Sequence, residues 1–222
     1  MTSSVPGWCE WWSFGVNSFP WLAITAVCLT SAVIFTMPVS PADVFARVAF
    51  YPTLFYTYIM SQVSSRQWYN RIDQWVIIGA LPVKSIAKQL VAQEGIKGVV
   101  SLTQEHEMRD WIPSEEEWKE MGVEQLKIPT IDFTGTPTQE NIHKAVKFII
   151  GHRNLNNSVY VHCKAGRTRS AVVVACYLIH VNRWTPEEAV EYIKTKRPHI
   201  WLRDLQFKSL AIFNDNLKST NR

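Results

Sequence analysis

Apolar and polar positions alternate between two kinds of run along most of this 222-residue chain. Short, wholly apolar stretches bounded by Gly or Pro read as buried strands, and longer stretches with a 3.6-residue period read as helices. From residue 68 onward the two kinds take turns. WVIIG (75–79) is a strand, and Val83 to Glu94 a helix with Gly95 beyond its end. GVVSL (98–102) is the next strand. Ser114 with Glu117 forms a capping box for a short helix ending near Met121, followed by a strand from Val123 to Ile128. Thr136, Pro137 and Gln139 predict an N-cap, a first-turn proline and an N3 glutamine. The helix after them carries Ile142, Ala145, Val146, Ile149 and Ile150 on one face. SVYVH (158–162) is a strand, and Ser170 to Val181 a core helix, apolar nearly all round and too short to cross a bilayer. Thr185, Pro186 and Glu188 start another helix, and a last amphipathic one covers Asp204 to Leu217. Strands alternating with helices predict an α/β fold, a central, mostly parallel sheet flanked by helices.

The first part of the chain breaks this pattern. Trp21 to Val39 is a 19-residue run with no charge, close to the minimum for a membrane-spanning helix. No basic region precedes it, as a signal peptide requires, and no Arg-rich presequence is visible, since the first Arg is Arg47. The expectation is a membrane anchor or targeting segment at 21–39 within an N-terminal extension, 1–43. Residues 44–66 follow as an aromatic segment. Its core, ARVAFYPTLFYTYIM (46–60), is interrupted by Pro52 and suits either a membrane interface or a hydrophobic strap on the domain. Residues 67–222 form the domain itself.

Charge sharpens this division. All 23 Lys and Arg fall in 47–222 with 17 of the 19 acids, a net of +6, whereas 1–46 holds only Glu10 and Asp43. A basic body behind an apolar segment faces the cytosol or matrix and favours anionic partners, phosphorylated molecules or an acidic lipid surface. No basic run interleaved with aromatics argues for nucleic acid. Cys9, Cys28, Cys163 and Cys176 form no C-x-x-C pair, so neither a zinc site nor a disulfide framework is expected.

The candidate chemistry lies in YVHCKAGRTRSAVVV (160–174). A buried strand ends at His162, and a helix opens at Arg169 or Ser170. Between them Lys164, Ala165, Gly166, Arg167, Thr168 and Arg169 bring successive N–H groups and a helix N-terminus around one point, an anion cradle suited to phosphate. Gly166 permits the positive-φ turn, and Arg169 offers a planar fork to two phosphate oxygens. The same field favours a thiolate on Cys163, placed to attack phosphorus. His162 has no second metal ligand near it, and orients the cysteine loop. Ser170 donates to the sulfur, unless it is a helix N-cap. Lys164 and Arg167 rim the pocket and contact substrate. A general acid must come from elsewhere. Asp132, in IPTIDFTGTPT, is the candidate; the alternative there is an Asx turn. No cofactor or metal is expected.

HCKAGRTRS resembles the His-Cys-x5-Arg-Ser signature of the cysteine-dependent protein tyrosine phosphatase superfamily, and its late position is similar to the dual-specificity branch. Further segments resemble the mitochondrial protein-tyrosine-phosphatase-like family that dephosphorylates phosphatidylglycerophosphate. They are ARVAFYPTLFYTY (46–58), WYNRIDQWVIIGALP (68–82), GVEQLKIPTIDFTGTPT (122–138), VYVHCKAGRTRSA (159–171) and WTPEEAVEYIKTKRPHI (184–200), so the resemblance runs from about 44 to 217. It implies Cys163 as nucleophile, Arg169 as phosphate binder, Asp132 as general acid, and Lys164 and Arg167 as readers of an anionic lipid headgroup. It also implies a phosphatase acting on an anionic phospholipid at the matrix side of the mitochondrial inner membrane, in cardiolipin synthesis. The family's acidic loop, roughly Asn-Glu-Glu-Tyr-Glu, stands here as QEHE (104–107), with His106 in place of the Tyr. Thr168 stands where the family more often has Ser. The other readings are a dual-specificity phosphoprotein phosphatase and a catalytically inactive phosphate-binding module. The second usually lacks the nucleophile, the Arg or the acid, and all three are present here.

Overall fold

A computed structural model describes residues 41–64, 66–107, 111–132 and 135–220. The 21–39 run and most of the 1–43 extension lie outside the described residues. The elements, in chain order, are α1 (Pro41–Val63), β1 (Tyr69–Arg71), β2 (Val76–Gly79), α2 (Lys84–Glu94), β3 (Ile96–Ser101), a 3-10 turn (Glu105–Glu107), α3 (Glu115–Glu120), β4 (Glu124–Lys127), α4 (Gln139–Asn154), β5 (Ser158–His162), α5 (Arg169–Asn182), α6 (Pro186–Lys196) and α7 (Asp204–Thr220).

The five strands form one sheet in the order β1-β2-β5-β3-β4. All neighbours are parallel except β1, which pairs antiparallel with β2. The central strands are buried on both faces, which is why they read as unbroken apolar runs. On one face Val159 and Val161 of β5 join Val76, Ile78 and Val100 in a core with α4, α5, α6 and α7. On the other face Tyr160, Ile77 and Val99 meet Leu90 of α2 and Trp118 of α3. The α/β expectation with helices on both faces therefore holds. Residues 169–179 of α5 are all buried, as its lack of a polar face predicts.

The predicted caps hold at two helices. Ser114 and Glu117 make both arms of a capping box, as do Thr185 and Glu188. The start of α4 is corrected. Thr138, not Thr136, is its N-cap and accepts from the Asn141 N–H. Gln139 does not close a capping box, because its amide donates to the Ser209 carbonyl and hydroxyl at 2.9 and 3.2 Å.

Pro52 does not interrupt the aromatic segment; α1 runs through it. The bond it deletes is the one to the carbonyl of Val48, and both residues are exposed, so water can replace it. One side of α1 straps the domain, with buried Phe50 and part-buried Leu54 against Leu81 and Ile112. The other exposes Phe55, Tyr56, Tyr58 and Ile59. No described helix is long and apolar enough to cross a membrane.

Candidate active site

The register aligns Gly79 of β2, His162 of β5 and Ser101 of β3. Three parallel strands thus end together, and in open α/β sheets ligands bind at such carboxyl ends. The loop from Cys163 to Thr168 leaves the middle one.

The carbonyls of that loop point outward, each to a partner. Lys164 O accepts from the Leu81 N–H at 3.1 Å, and Arg167 O from the Trp201 N–H at 3.0 Å. Arg197 Nε donates to Gly166 O at 2.7 Å and Nη2 to Ala165 O at 3.1 Å. With four successive carbonyls held from outside, the loop N–H groups are turned to its inner side. The peptides of those carbonyls carry the N–H groups of 165–168, and no backbone oxygen among the described residues accepts from these. That is the concave set of donors an anion needs. Gly166 sits at φ 65°, and a Cβ there would strike the Gly79 carbonyl group and the Arg197 guanidinium. The predicted positive-φ glycine is thus required twice over.

Cys163 Sγ lies 3.4 Å from Ser170 Oγ, the predicted contact. Thr168, not Ser170, stands at the N-cap of α5, and its hydroxyl donates to Trp201 O at 2.8 Å. Burial alone would raise the Cys163 thiol. The Arg169 guanidinium and the Ser170 hydroxyl and N–H outweigh it and hold the thiol below its ordinary value, against some opposition from Asp132. Cys176 isolates the cause. It is equally buried, has no such neighbours, and its thiol is pushed well up.

His162 is wholly buried, and burial drives its pKa down to about 3, against the bond to the Cys163 carbonyl and with help from Arg169. It is a neutral ring. Nδ1 lies 3.3 Å from the Cys163 carbonyl, which can only accept, so Nδ1 carries the proton. Nε2 then accepts from Ser101 Oγ at 2.9 Å, and Ser101 Oγ in turn accepts from the Gln125 amide at 2.9 Å. This chain fixes the peptide at the base of the loop.

Arg169 is 2% exposed. Its Nη1 and Nη2 bind Glu107 in a fork at 2.8 and 3.0 Å, Nη1 also reaches the Thr130 carbonyl at 2.8 Å, and Nη2 lies 2.9 Å from Asp132 Oδ1. Burial would lower its pKa, but Glu107, Cys163 and Asp132 reverse this and raise it. Its Nε–H is buried with no acceptor among the described residues. Asp132, far off in sequence, therefore does arrive at the loop.

Lys164 is placed differently from the rim position predicted. It is 4% exposed, with its ammonium paired to Asp132 and 5.8 Å from the centre of the Phe50 ring. Arg167 is half-buried and its Nε donates to the His199 carbonyl at 3.0 Å. Sequence reasoning missed two parts. Glu107 lies in the acidic QEHE loop, and its proximity to Arg169 has no local sign. Arg197, in KRPHI, is the clamp on the loop carbonyls. Among the described residues no cluster of His, Cys, Asp and Glu is placed to hold a metal.

Residues 77–216 match the family described as Dual specificity phosphatase, catalytic domain. The chain belongs to the dual-specificity phosphatase family. It is 47% identical over 175 residues to the Rattus norvegicus protein named Phosphatidylglycerophosphatase and protein-tyrosine phosphatase 1, covering 78% of this chain and 91% of that one. Against the Arabidopsis thaliana Phosphatidylglycerophosphate phosphatase PTPMT1 the identity is 36%, over 75% of this chain and 48% of that protein. The crystal structure of PTPMT1 in complex with PI(5)P superposes with a TM-score of 0.69 at 45% identity, covering 70% of this chain and 100% of that one. As a dual-specificity phosphatase the chain is a cysteine-dependent phosphoric monoester hydrolase. A thiol of lowered pKa, a set of loop N–H donors, a guanidinium Nε–H without an acceptor among the described residues and a carboxyl from outside the loop meet here.

Proposed function

We propose that this phosphatase removes the terminal phosphate of phosphatidylglycerophosphate, giving phosphatidylglycerol. The observation that carries the reading is the Cys163–Arg169–Asp132 constellation in a chain whose relatives are named for that reaction.

The terminal phosphate enters the loop with one oxygen on Arg169 Nε and another displacing Asp132 from Nη2. Cys163 Sγ attacks phosphorus in line. The S–P bond forms as the P–O bond to glycerol breaks, and the protonated Asp132 carboxyl gives its proton to the leaving oxygen. The incoming dianion favours that protonated carboxyl by taking Arg169 from it and placing like charge beside it. Water then attacks the phosphocysteine and loses its proton to Asp132. The S–P bond breaks, Ser170 donates to the departing thiolate, and inorganic phosphate leaves.

The product feeds cardiolipin synthesis, and the enzyme works at the matrix face of the mitochondrial inner membrane. What supports this is the segment-by-segment resemblance, the basic body, and the exposed Phe55, Tyr56, Tyr58 and Ile59 of α1, residue types suited to a bilayer interface. Lys164 acts through Asp132, and Arg167 reads the anionic headgroup. The extension 1–43, with its run at 21–39, serves as anchor or targeting segment.

The relatives' names also carry a protein-tyrosine phosphatase activity. Turnover of phosphatidylglycerophosphate in vesicles against a phosphotyrosine peptide, at equal enzyme, separates the two. A preference for lipid is expected, and a strong preference for peptide would replace this reading with the phosphoprotein one.

A further inference from the structure

Beside the phosphate loop a second, narrow cleft runs under α1, enclosing about 320 Å³ with its solvent mouth included. Tyr56 and Met60 of α1 line it, together with Arg66, Arg167, Arg197 and His199. Three guanidinium groups thus meet in one cleft with no carboxylate among its lining residues.

Arg197 supplies charge rather than a free hand. It is 1% exposed, and its N–H groups go to the carbonyls of Gln67, Trp68, Ala165 and Gly166 and to Asn70 Oδ1. All are neutral, so no carboxylate among the described residues pairs with this buried cation under the cleft. Arg167 uses Nε on the His199 carbonyl and makes no ion pair among the described residues. Neither does Arg66. His199 registers the field: burial first, then Arg197, Arg66 and Arg167, bring its pKa down to about 4. Cations crowded without a counter-charge are destabilising until an anion joins them.

The cleft shares Ala165 and Arg167 with the phosphate loop, so an anion in it would lie next to the phosphate on Cys163. A substrate that fills both has two anionic groups joined by a short linker. Resting on the function proposed above, we infer that this cleft is the subsite for the second phosphate of the substrate, the diester that joins the glycerol to the diacylglycerol. Arg66 and Arg167 bind it, and the acyl chains leave along the apolar side of α1.

The test compares wild type, Arg66→Gln and Arg66→Lys on four substrates. Phosphatidylglycerophosphate and its acyl-free headgroup, glycerophosphoglycerophosphate, carry two phosphates. Phosphatidic acid and p-nitrophenyl phosphate carry one. Arg66→Gln is expected to lower kcat/KM on both bisphosphates about 10-fold relative to the monophosphates, mainly through KM. Arg66→Lys should restore most of it. Equal loss on all four substrates, or none on any, would overturn the subsite. If wild type prefers a phosphopeptide while Arg66→Gln still loses selectively on the acyl-free bisphosphate, the subsite stands and the lipid reading fails. If wild type turns over the lipid well and Arg66→Gln matches it, the lipid reading stands and the subsite fails.

Discussion

Arg169 and Asp132 meet inside the phosphate loop, guanidinium Nη2 to carboxylate Oδ1 at 2.9 Å. The proposed acid therefore occupies part of the proposed phosphate seat, and in that mechanism must leave it before it can act. Removing the carboxylate should have two opposite effects. Asp132→Ala should lower the rate on alkyl phosphates by about 10²–10⁴-fold, because a poor leaving oxygen then goes without a proton. On an aryl phosphate, whose leaving group needs little protonation, the loss should be far smaller. The same variant should bind inorganic phosphate or vanadate more tightly than wild type, measured by inhibition, since Arg169 no longer has to exchange partners. Equal rate losses on the two substrates would count against the acid role.

Glu107 holds the same guanidinium from the other side. Both side chains of that pair are 2% exposed. Glu107→Ala leaves a buried cation short of its main counter-charge, and should destabilise the fold by about 3 kcal/mol. Glu107→Gln keeps the side chain's volume and one of the two acceptor oxygens without the charge, and should cost less. Denaturant unfolding measures both. Activity should fall with Glu107→Gln even where the fold survives, because Arg169 is no longer aimed.

The thiol of Cys163 is held below its ordinary value, chiefly by Arg169 and Ser170 against burial. In the proposed mechanism the active form is the thiolate, so the rate should rise with pH through that lowered pKa and level off below the ordinary thiol range of about 8.5. Ser170→Ala removes a hydrogen bond to the thiolate, which raises the pKa. Its acid limb should move to higher pH, in kcat/KM and in the pH dependence of iodoacetamide alkylation alike. An unmoved limb would show that Ser170 does not touch the sulfur.

His162 has its pKa depressed by burial to about 3. Unfolded, it titrates near 6.5. Between those values the unfolded chain binds a proton that the folded chain refuses, so stability is full above about pH 6.5 and falls as the pH drops toward 3. At pH 5 the loss from this ring alone is about 2 kcal/mol. Unfolding midpoints at pH 7.5 and 5.0 should differ accordingly, and His162→Gln should reduce the difference.

The parts legible in the sequence are the local ones. β2 and β5 announce themselves because both their faces are buried, leaving no polar alternation to obscure them. The Cys163–Arg169 loop is a single turn, so its chemistry follows from its own residues. The clamps on it were not legible. Glu107 meets Arg169 across 62 residues of chain, and Arg197 meets Gly166 across 31. The sequence points Lys164 to the rim because a loop lysine ordinarily seeks water. Here Asp132 and Phe50 of α1 take it inside, and both are remote in sequence. The start of α4 slipped by two residues for the same reason, since Gln139 serves Ser209 of α7 rather than its own helix.

The most direct test of the whole account is the release of inorganic phosphate from vesicles containing phosphatidylglycerophosphate, by wild type and by Cys163→Ser. Wild type should release it steadily, and Cys163→Ser should release none above the background without enzyme. Undiminished release by Cys163→Ser, or no release by wild type, would contradict the account.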